Sequence, residues 1–311
     1  MQRSGGSGGA VDRRRCAAAV ASALAAALAV PAGAAGAVSG PSGVAAKGAY
    51  LLDSGADRQL WGKDADTRRQ MASTTKIMTA VVVLDSHGMS LDRQIEIKQS
   101  YRDYVARTGA STADLRTGDK LTARQLLYAL MLPSGCDAAY ALADAYGSGS
   151  TEEARTRSFV SKMNKKAAEL GLNRTTYDSF DGISSRGGNL TTPRDLAKLS
   201  RHALGNHTFR EVMGTLNTQQ KAANVNRLYT WYNTNKLLGS YSGVIGVKTG
   251  TTSVSGPCLV FAAQRGGRTV IGVLLNDAAG RYPDAAKMLD YAYGTHTPLH
   301  LRELPPAAHE D

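Results

Sequence analysis

Residues 244–275 read VIGVKTGTTSVSGPCLVFAAQRGGRTVIGVLL, and this stretch decides the fold. It contains three strand-like runs, Val244 to Thr249, Cys258 to Ala263 and Arg268 to Leu275, with turn-forming residues between them. Gly266-Gly267 joins the last two runs as a hairpin. We therefore predict three strands of an antiparallel sheet near the end of the chain.

The rest of the chain supplies a hairpin at the start and helices in the middle. Ala49 to Asp53 and Gln59 to Trp61 flank a Ser54–Asp57 turn, and a polar stretch that ends near Asp119 has no regular pattern. Apolar spacing and end signals predict helices over Ser73 to Leu84, Leu126 to Met131 behind a Thr122/Gln125 capping box, Asp137 to Tyr146, Phe159 to Leu170, Thr192 to Gly205, and onward from Pro283.

Strands at both ends of the chain with helices between them predict an α/β (α+β) fold. The terminal segments then share one antiparallel sheet, into which an all-helical subdomain is inserted. We expect the sheet part over about 45–85 and 220–293, the helical subdomain over about 86–219 and a short tail over 294–311. The cleft between the two parts is the expected site.

Composition excludes several classes of protein. The 311 residues are 42% hydrophobic and 20% charged, a globular mixture that rules out disorder, coiled coil and a collagen-like rod. The formal charge is +11, but the basic residues are scattered singly, so nucleic-acid binding is not indicated. The six histidines form no H-E-x-x-H motif, and we expect no metal.

The first residues have the order of an export signal. Arg13, Arg14 and Arg15 precede an apolar run from Cys16 to Val30, and small-residue A-x-A patterns follow. We predict that residues 1–37 are a signal peptide and that 38–311 is the exported catalytic domain, secreted or in the cell-wall space. A retained membrane anchor is the weaker alternative, because the run is short for a membrane span.

Three short motifs carry the chemistry. They are Ser73-Thr-Thr-Lys76 at a helix start, Ser134-Gly-Cys136 between two helices, and Lys248-Thr-Gly250 ending a strand. Each motif is weak by itself, but the three in this order are specific. Residues i and i+3 share one face of a helix, so Lys76 can reach the hydroxyl of Ser73 and activate it as a nucleophile.

The electrostatics of these motifs suit acyl transfer. A lysine acts as a base only when it is unprotonated, a state that burial and a second cation such as Lys248 favour. The helix N-terminus at Ser73 favours an oxyanion. Lys248, with hydroxyl donors from Thr249 and Thr251, suits a substrate that ends in a free carboxylate.

With these residues, the chain resembles the penicillin-binding serine DD-peptidases, the low-molecular-mass D-alanyl-D-alanine carboxypeptidase and transpeptidase group (peptidase S11-like). The resemblance extends from about residue 48 to 289. The segments that carry it are MASTTKIMTA (71–80), LMLPSG (130–135), NTN (233–235) and GVIGVKTG (243–250).

The resemblance implies a role for each catalytic motif. Ser73 would form an acyl-enzyme with the penultimate D-Ala of a peptidoglycan stem peptide, and Lys76 would take its proton. Ser134 would pass a proton to the departing D-Ala. Penicillins and other β-lactams would acylate Ser73 as covalent inhibitors.

The resemblance also implies the binding residues and the architecture. Lys248 and Thr249 would hold the substrate carboxylate, and the backbone N–H groups of Ser73 and Thr251 would form the oxyanion hole. The implied fold is the transpeptidase/β-lactamase-like one, a five-stranded antiparallel sheet flanked by helices. No cofactor is implied, and we expect a monomer with no nucleic-acid partner and no stable membrane anchor once the signal is cut.

One position departs from the family pattern, and two other functions stay open. Most relatives have Asn where Cys136 stands, and a thiol donates and accepts hydrogen bonds only weakly. Cys136 is either a substrate-binding residue that affects the acyl acceptor or a small core residue. A β-lactamase is one alternative, because Glu169-Leu-Gly-Leu-Asn173 fits E-x-x-L-N, although the helical pattern predicts an exposed Glu169. A catalytically idle penicillin-binding sensor is the other.

Overall fold

The central feature of the computed structural model, which describes residues 40–308, is a five-stranded antiparallel sheet. Its strand order is β2-β1-β11-β10-β9, so the first and last parts of the chain pair with each other. This confirms the predicted mixed fold with one antiparallel sheet. The strands of the sheet are β1 (Gly48–Asp53), β2 (Arg58–Lys63), β9 (Val244–Thr252), β10 (Gly256–Arg265) and β11 (Arg268–Leu275).

Three two-stranded ribbons accompany this sheet. They are formed by β3 (Arg69–Gln70) with β6 (Leu190–Thr191), β4 (Gln94–Glu96) with β5 (Lys120–Thr122), and β7 (Asn217–Lys221) with β8 (Leu228–Tyr232).

Most helices lie between the two groups of sheet strands in sequence, as predicted. The capping box of α3 forms, since Thr122 Oγ1 accepts from Gln125 N and Gln125 Oε1 accepts from Thr122 N. The α-helices are α1 (Lys76–Leu84), α2 (Gln99–Thr108), α3 (Ala123–Met131), α4 (Cys136–Tyr146), α5 (Glu152–Glu169), α6 (Pro193–Gly205), α7 (His207–Met213) and α8 (Arg281–Tyr293).

Three sequence expectations about local structure are wrong. The inserted region over about 86–219 is not all-helical, because it contains the ribbon β4/β5 and strand β6. The stretch before Asp119 is not irregular, because it contains α2. The predicted helix over Ser73 to Leu84 begins as a 3₁₀ turn, Ala72–Thr75, and becomes α-helical only at Lys76.

The sheet is buried on both faces. Tyr50, Val260 and Val273 belong to a large apolar cluster shared with the helices of the middle region. Leu51, Phe261 and Leu274 point to a second cluster with α8. Because α1 is buried along almost its whole length, it forms a rigid support for the residues at its start.

Among residues 40–308, no helix is both long and apolar enough to cross a membrane. The predicted export signal lies outside the described residues.

Candidate active site

The first motif brings a lysine onto a serine. Ser73 lies in the 3₁₀ turn and Lys76 is the first residue of α1, so both side chains project from the same side of the turn. Lys76 Nζ lies 2.9 Å from Ser73 Oγ. Lys76 is fully buried and Ser73 is 8% exposed, so the pair is largely shielded from water.

The second motif meets the same lysine. Lys76 Nζ is 3.5 Å from Ser134 Oγ, and the fully buried Ser134 sits between α3 and α4. The structure therefore brings Ser73, Lys76 and Ser134 together as the sequence predicted.

A strained backbone residue directly precedes the first serine motif and another begins the second. Ala72 has φ of 46° and Ser134 has φ of 64°, the left-handed region that a residue with a Cβ rarely occupies. Such residues cost about 1–3 kcal/mol each and persist only when the surrounding structure holds them. At Ser134 the carbonyl accepts from Ser111 Oγ at 2.7 Å, and Cys136 N donates to Ser111 O at 2.9 Å.

The third motif forms the wall opposite the serine. A Cβ at Gly250 would lie 2.7 Å from Ser73 N, so only glycine lets β9 pass this close. Lys248 is 1% exposed, with Nζ 3.0 Å from Thr249 O, and the Thr249 and Thr234 hydroxyls are 2.8 Å apart. Thr251, two residues after Thr249 on the same strand, is exposed.

Arg281 adds a cation that the sequence reasoning missed. It is the first residue of α8, and its Nη1 lies 3.0 Å from Thr251 Oγ1, 3.3 Å from Gly250 O and 3.2 Å from Cys258 O. No motif marks an isolated arginine at a helix start. Arg281 and Lys248 together place two positive charges along β9, an arrangement that suits a carboxylate.

Cys136 is buried beside Lys76. Its Sγ lies 3.7 Å from Ser111 Oγ and 3.9 Å from Ser134 O, contacts that are weak for sulfur. Burial raises the pKa of Cys136 to about 12, although the nearby charge of Lys76 opposes the shift. The residue is therefore an uncharged thiol at neutral pH and not a nucleophile. Cys258 is equally buried, in β10, as predicted for a core residue.

Asp137, which follows Cys136, is a second residue that sequence reasoning missed. Its carboxylate is buried and accepts four hydrogen bonds of 2.9 to 3.0 Å. These bonds tie the loop over residues 112–115, which lies between β4 and β5, to the start of α4 next to Ser134. The donors are Thr112 Oγ1 and the backbone N–H groups of Ala113, Leu115 and Ala138.

A loop over residues 178–183 completes the surroundings of Lys76, and no sequence motif predicts this contact. Asp181 O accepts from Lys76 Nζ at 3.0 Å. The buried Asp181 carboxylate accepts from Tyr104 Oη at 2.7 Å, Ser179 Oγ at 3.1 Å and Ile183 N at 2.9 Å, so it fixes the shape of its own loop. Burial and then the charge of Asp181 raise the pKa of Tyr104, which stays a hydrogen-bond donor.

Glu169, the residue of the β-lactamase alternative, takes no part in this arrangement. It is the last residue of α5 and is exposed, as the helical pattern predicted. Its carboxylate pairs with Lys166 at 2.9 Å, and this pairing lowers its pKa. An exposed, ion-paired carboxylate is not a general base poised near neutral pH.

Three comparisons with known proteins agree with this geometry. The family model described as D-alanyl-D-alanine carboxypeptidase (peptidase S11) matches residues 34–279. A curated D-alanyl-D-alanine carboxypeptidase of Streptomyces sp. (strain K15) is 52% identical over 256 residues, which are 80% of this chain and 88% of that protein.

Solved structures give the same result. The crystal structure of the Streptomyces K15 DD-transpeptidase superimposes with a TM-score of 0.79 at 51% identity, covering 82% of this chain and 99% of that one. A D-alanyl-D-alanine carboxypeptidase from Mycobacterium tuberculosis H37Rv gives 0.72 at 28% identity, covering 86% and 100%. With the family model matching most of its length and a relative that is 52% identical over 80% of it, the chain belongs to the D-alanyl-D-alanine carboxypeptidase family of serine peptidases (S11).

Proposed function

We propose that this protein cleaves the terminal D-Ala-D-Ala bond of peptidoglycan stem peptides through an acyl-enzyme on Ser73 and passes the acyl group to water or to an amine. The observation that carries the proposal is the 2.9 Å contact between Lys76 Nζ and Ser73 Oγ inside a buried site. A serine hydroxyl needs such an adjacent base to attack an amide carbonyl.

Acylation begins with the unprotonated amine of Lys76. Ser73 Oγ attacks the carbonyl carbon of the penultimate D-Ala, and its proton moves to Lys76 Nζ as the new C–O bond forms. The negative charge that develops on the carbonyl oxygen is met by the N–H of Ser73 and the N–H of Thr251 on β9. Preorganised donors of this kind supply a large part of the rate enhancement in acyl transfer.

Collapse of the tetrahedral intermediate releases D-Ala. The C–N bond breaks, the nitrogen takes a proton from Ser134 Oγ, and Lys76 returns a proton to Ser134 across their 3.5 Å contact. A water or an amine then attacks the ester carbonyl on Ser73, and Lys76 accepts the proton of this second nucleophile. The ester C–O bond breaks, and Lys76 returns that proton to Ser73 Oγ. Hydrolysis gives a carboxypeptidase and aminolysis a transpeptidase, from one shared intermediate.

The carboxylate of the terminal D-Ala is recognised on the β9 side. Lys248 and Thr249 bind it from the strand, with Thr234 supporting Thr249. Arg281 adds a charge at Thr251. Charge-assisted hydrogen bonds to a carboxylate are short and strong, so they select substrates with a free C-terminus. The carboxylate of a penicillin meets the same groups. Ser73 Oγ then attacks the β-lactam carbonyl and the ring C–N bond breaks, so penicillin is a covalent inhibitor.

The test is an assay of the purified protein with a D-Ala-D-Ala donor peptide, with and without an amine acceptor. We expect D-Ala release and, with the amine present, a second acyl product. Penicillin is expected to leave a long-lived adduct on Ser73, whereas a β-lactamase would turn it over rapidly. Failure to form either acyl product would overturn the proposal and leave the idle sensor.

Export is part of the proposed function, because the substrate lies outside the cytoplasm. We propose that residues 1–37 are a signal peptide and that the domain from residue 38 acts in the cell-wall space or is secreted, as a monomer. N-terminal sequencing of protein from the culture medium and from the cell wall tests this. A protein that retains Met1 in the membrane fraction would contradict the cleavage.

Cys136→Asn is expected to move the product ratio from aminolysis towards hydrolysis by about threefold, since one amide hydrogen bond is worth roughly 0.5–1.5 kcal/mol. An amide donates and accepts strongly and can hold a water near Lys76, which the buried thiol cannot. The measurement is the ratio of the two acyl products at a fixed amine concentration. Cys136→Ala, which removes the thiol without adding a donor, is the matched control. Equal ratios in the wild type and the Asn variant would reduce Cys136 to packing.

A further inference from the structure

Two carboxyl groups are buried against each other where β11 leads into α8. Asp277 is 1% exposed and Asp284 is 3% exposed. Both residues bond to Gly280, since Asp277 Oδ1 accepts from Gly280 N at 3.2 Å and Asp284 N donates to Gly280 O at 3.2 Å. The charge of Asp284 acts on Asp277, whose Oδ2 has no donor among the described residues. A carboxylate offers only acceptors, so two carboxyl groups can bond to each other only through a proton.

The surroundings of the pair decide where this proton resides. Asp284 accepts from the cationic Lys287 Nζ at 2.7 Å and from the backbone N–H of Ala45. Among the described residues, the donors to the Asp277 carboxylate are backbone N–H groups, Gly280 N at 3.2 Å among them. Burial, and next the charge of Asp284, raise the pKa of Asp277 to about 6. Asp277 is therefore the member of the pair that carries the proton.

The same residue builds the turn from which Arg281 projects. Asp277 N donates to Pro257 O at 2.8 Å, which ties it to β10, and its Oδ1 holds Gly280 N. Gly280 has φ of 144° and is the N-cap of α8. The next residue is Arg281, whose Nη1 contacts Thr251 Oγ1 at 3.0 Å. One buried carboxyl thus links the sheet, the turn and the arginine of the candidate site.

We propose that Asp277 and Asp284 share one proton and that this proton keeps Arg281 beside β9, so that Asp277 is a positioning residue for recognition of the substrate carboxylate. The inference rests on the proposed function, because it concerns the same binding groups. When the proton is lost, two like charges face each other in a buried space and the turn over residues 277–280 relaxes.

The other charged and titratable groups around the pair stand on three elements. They are Lys287 and Arg281 on α8, Cys258 on β10, and Lys47 in the segment before β1, where Lys47 N donates to Asn276 O.

The first arm of the test is the rate of acylation by benzylpenicillin, which carries a carboxylate, in the wild type and in Asp277→Asn. The amide donates a hydrogen bond to Asp284 at every pH and replaces the proton. At about pH 5 we expect the wild type and the variant to have equal second-order rate constants of acylation. At about pH 8 we expect the second-order rate constant of the wild type to be about three- to tenfold lower than that of the variant. The difference is expected in the apparent affinity for penicillin, with the maximal acylation rate unchanged.

The second arm is thermal unfolding as a function of pH. The pKa of Asp277 is raised in the folded chain, so the folded state holds this proton more tightly than the unfolded state does. The stabilisation that the shared proton gives the folded state is complete below pH 3.8, the ordinary pKa of an Asp side chain. It is lost as the pH rises through about 6, the pKa of Asp277 in the folded chain. Relative to the wild type, Asp277→Asn is therefore expected to melt at the same temperature near pH 4 and at a higher one near pH 7.5.

Asp290→Asn, at the other end of α8, is the matched control with the opposite sign. Although burial opposes the shift, hydrogen bonds from Tyr241 and from the Thr295 and Thr297 region lower the pKa of Asp290, so its charge stabilises the fold at neutral pH. This variant is expected to melt lower at pH 7.5. If Asp277→Asn also melts lower at pH 7.5, or if its acylation ratio to wild type is flat with pH, the shared proton is wrong. If no variant is acylated at all, the proposed function fails instead, and the unfolding arm still decides the pair.

Discussion

Ser73→Ala is expected to abolish the penicillin adduct and to lower kcat/KM for D-Ala release by roughly 10⁵- to 10⁶-fold, the scale on which loss of a serine nucleophile acts in other hydrolases. The hydroxyl that Lys76 contacts at 2.9 Å is the only group in this contact that can form the ester. Removing it leaves the base and the carboxylate-binding groups in place, so substrate still binds. Mass spectrometry of the intact protein after incubation with benzylpenicillin checks the prediction directly.

Ser86→Ala provides the control for the loss of a helical serine hydroxyl. Ser86 follows the far end of α1, and its Oγ donates to Val82 O at 2.6 Å, well away from the motifs in sequence. This variant is expected to take up one equivalent of penicillin at the wild-type rate. A full-mass adduct on Ser73→Ala would place the nucleophile elsewhere.

Much of the fold was predictable because its strands and helices carry their own signals. The runs in 244–275 became β9, β10 and β11, and the Gly266-Gly267 turn has positive φ at both residues. The capping box marked the start of α3 correctly. These features depend on local backbone chemistry and on apolar periodicity, which a sequence displays directly.

The missed elements lack those signals. Of the residues in α2, only Tyr101 is buried, so no apolar stripe announces the helix. Its contacts are polar and distant in sequence, with Tyr101 Oη donating to Asp144 at 2.7 Å and Tyr104 Oη to Asp181. The hairpin of β7 and β8 also lacks an apolar pattern, because β7 reads NTQQK and contains no buried residue. Tertiary contacts decide both elements.

The residues of the candidate site also divide into those that a local sequence pattern predicts and those that only tertiary contacts bring into place. Ser73 and Lys76 were predictable as a pair, because residues three positions apart lie on the same face of a helical turn. Asp181 was not, because it reaches Lys76 with a backbone carbonyl that any residue type could offer. Arg281 was not predictable either, since it lies on α8 and contacts β9 at Thr251, 30 residues earlier in the chain.

The loop over residues 178–183 supports Ser73 as well as Lys76. Gly182 has φ of 102°, and a Cβ there would lie 2.1 Å from Ala72 O and 2.9 Å from Ser73 N. These are backbone atoms, so the Ala72–Ser73 segment itself must shift to admit a methyl group. Ala72 is already held at a strained φ of 46°, so the segment depends on its neighbours to stay in place.

Gly182→Ala is therefore expected to slow acylation of Ser73 by about 100-fold, the cost of a displacement of about 1 Å at a reacting group. Gly187→Ala is the matched control. Gly187 also has positive φ, 69°, but a Cβ there would meet only the flexible end of Gln70, at 3.1 Å. Both variants bear the cost of a Cβ at positive φ, about 1–2 kcal/mol, and Gly182→Ala also bears the backbone clash, so both are expected to melt lower than wild type and Gly182→Ala the more so. Only the first displaces the nucleophile, and acylation rate constants measured with excess penicillin separate the two effects. Equal rate constants for the two variants would mean that this loop does not hold Ser73, and that the strain at Ala72 is balanced from the β9 side alone.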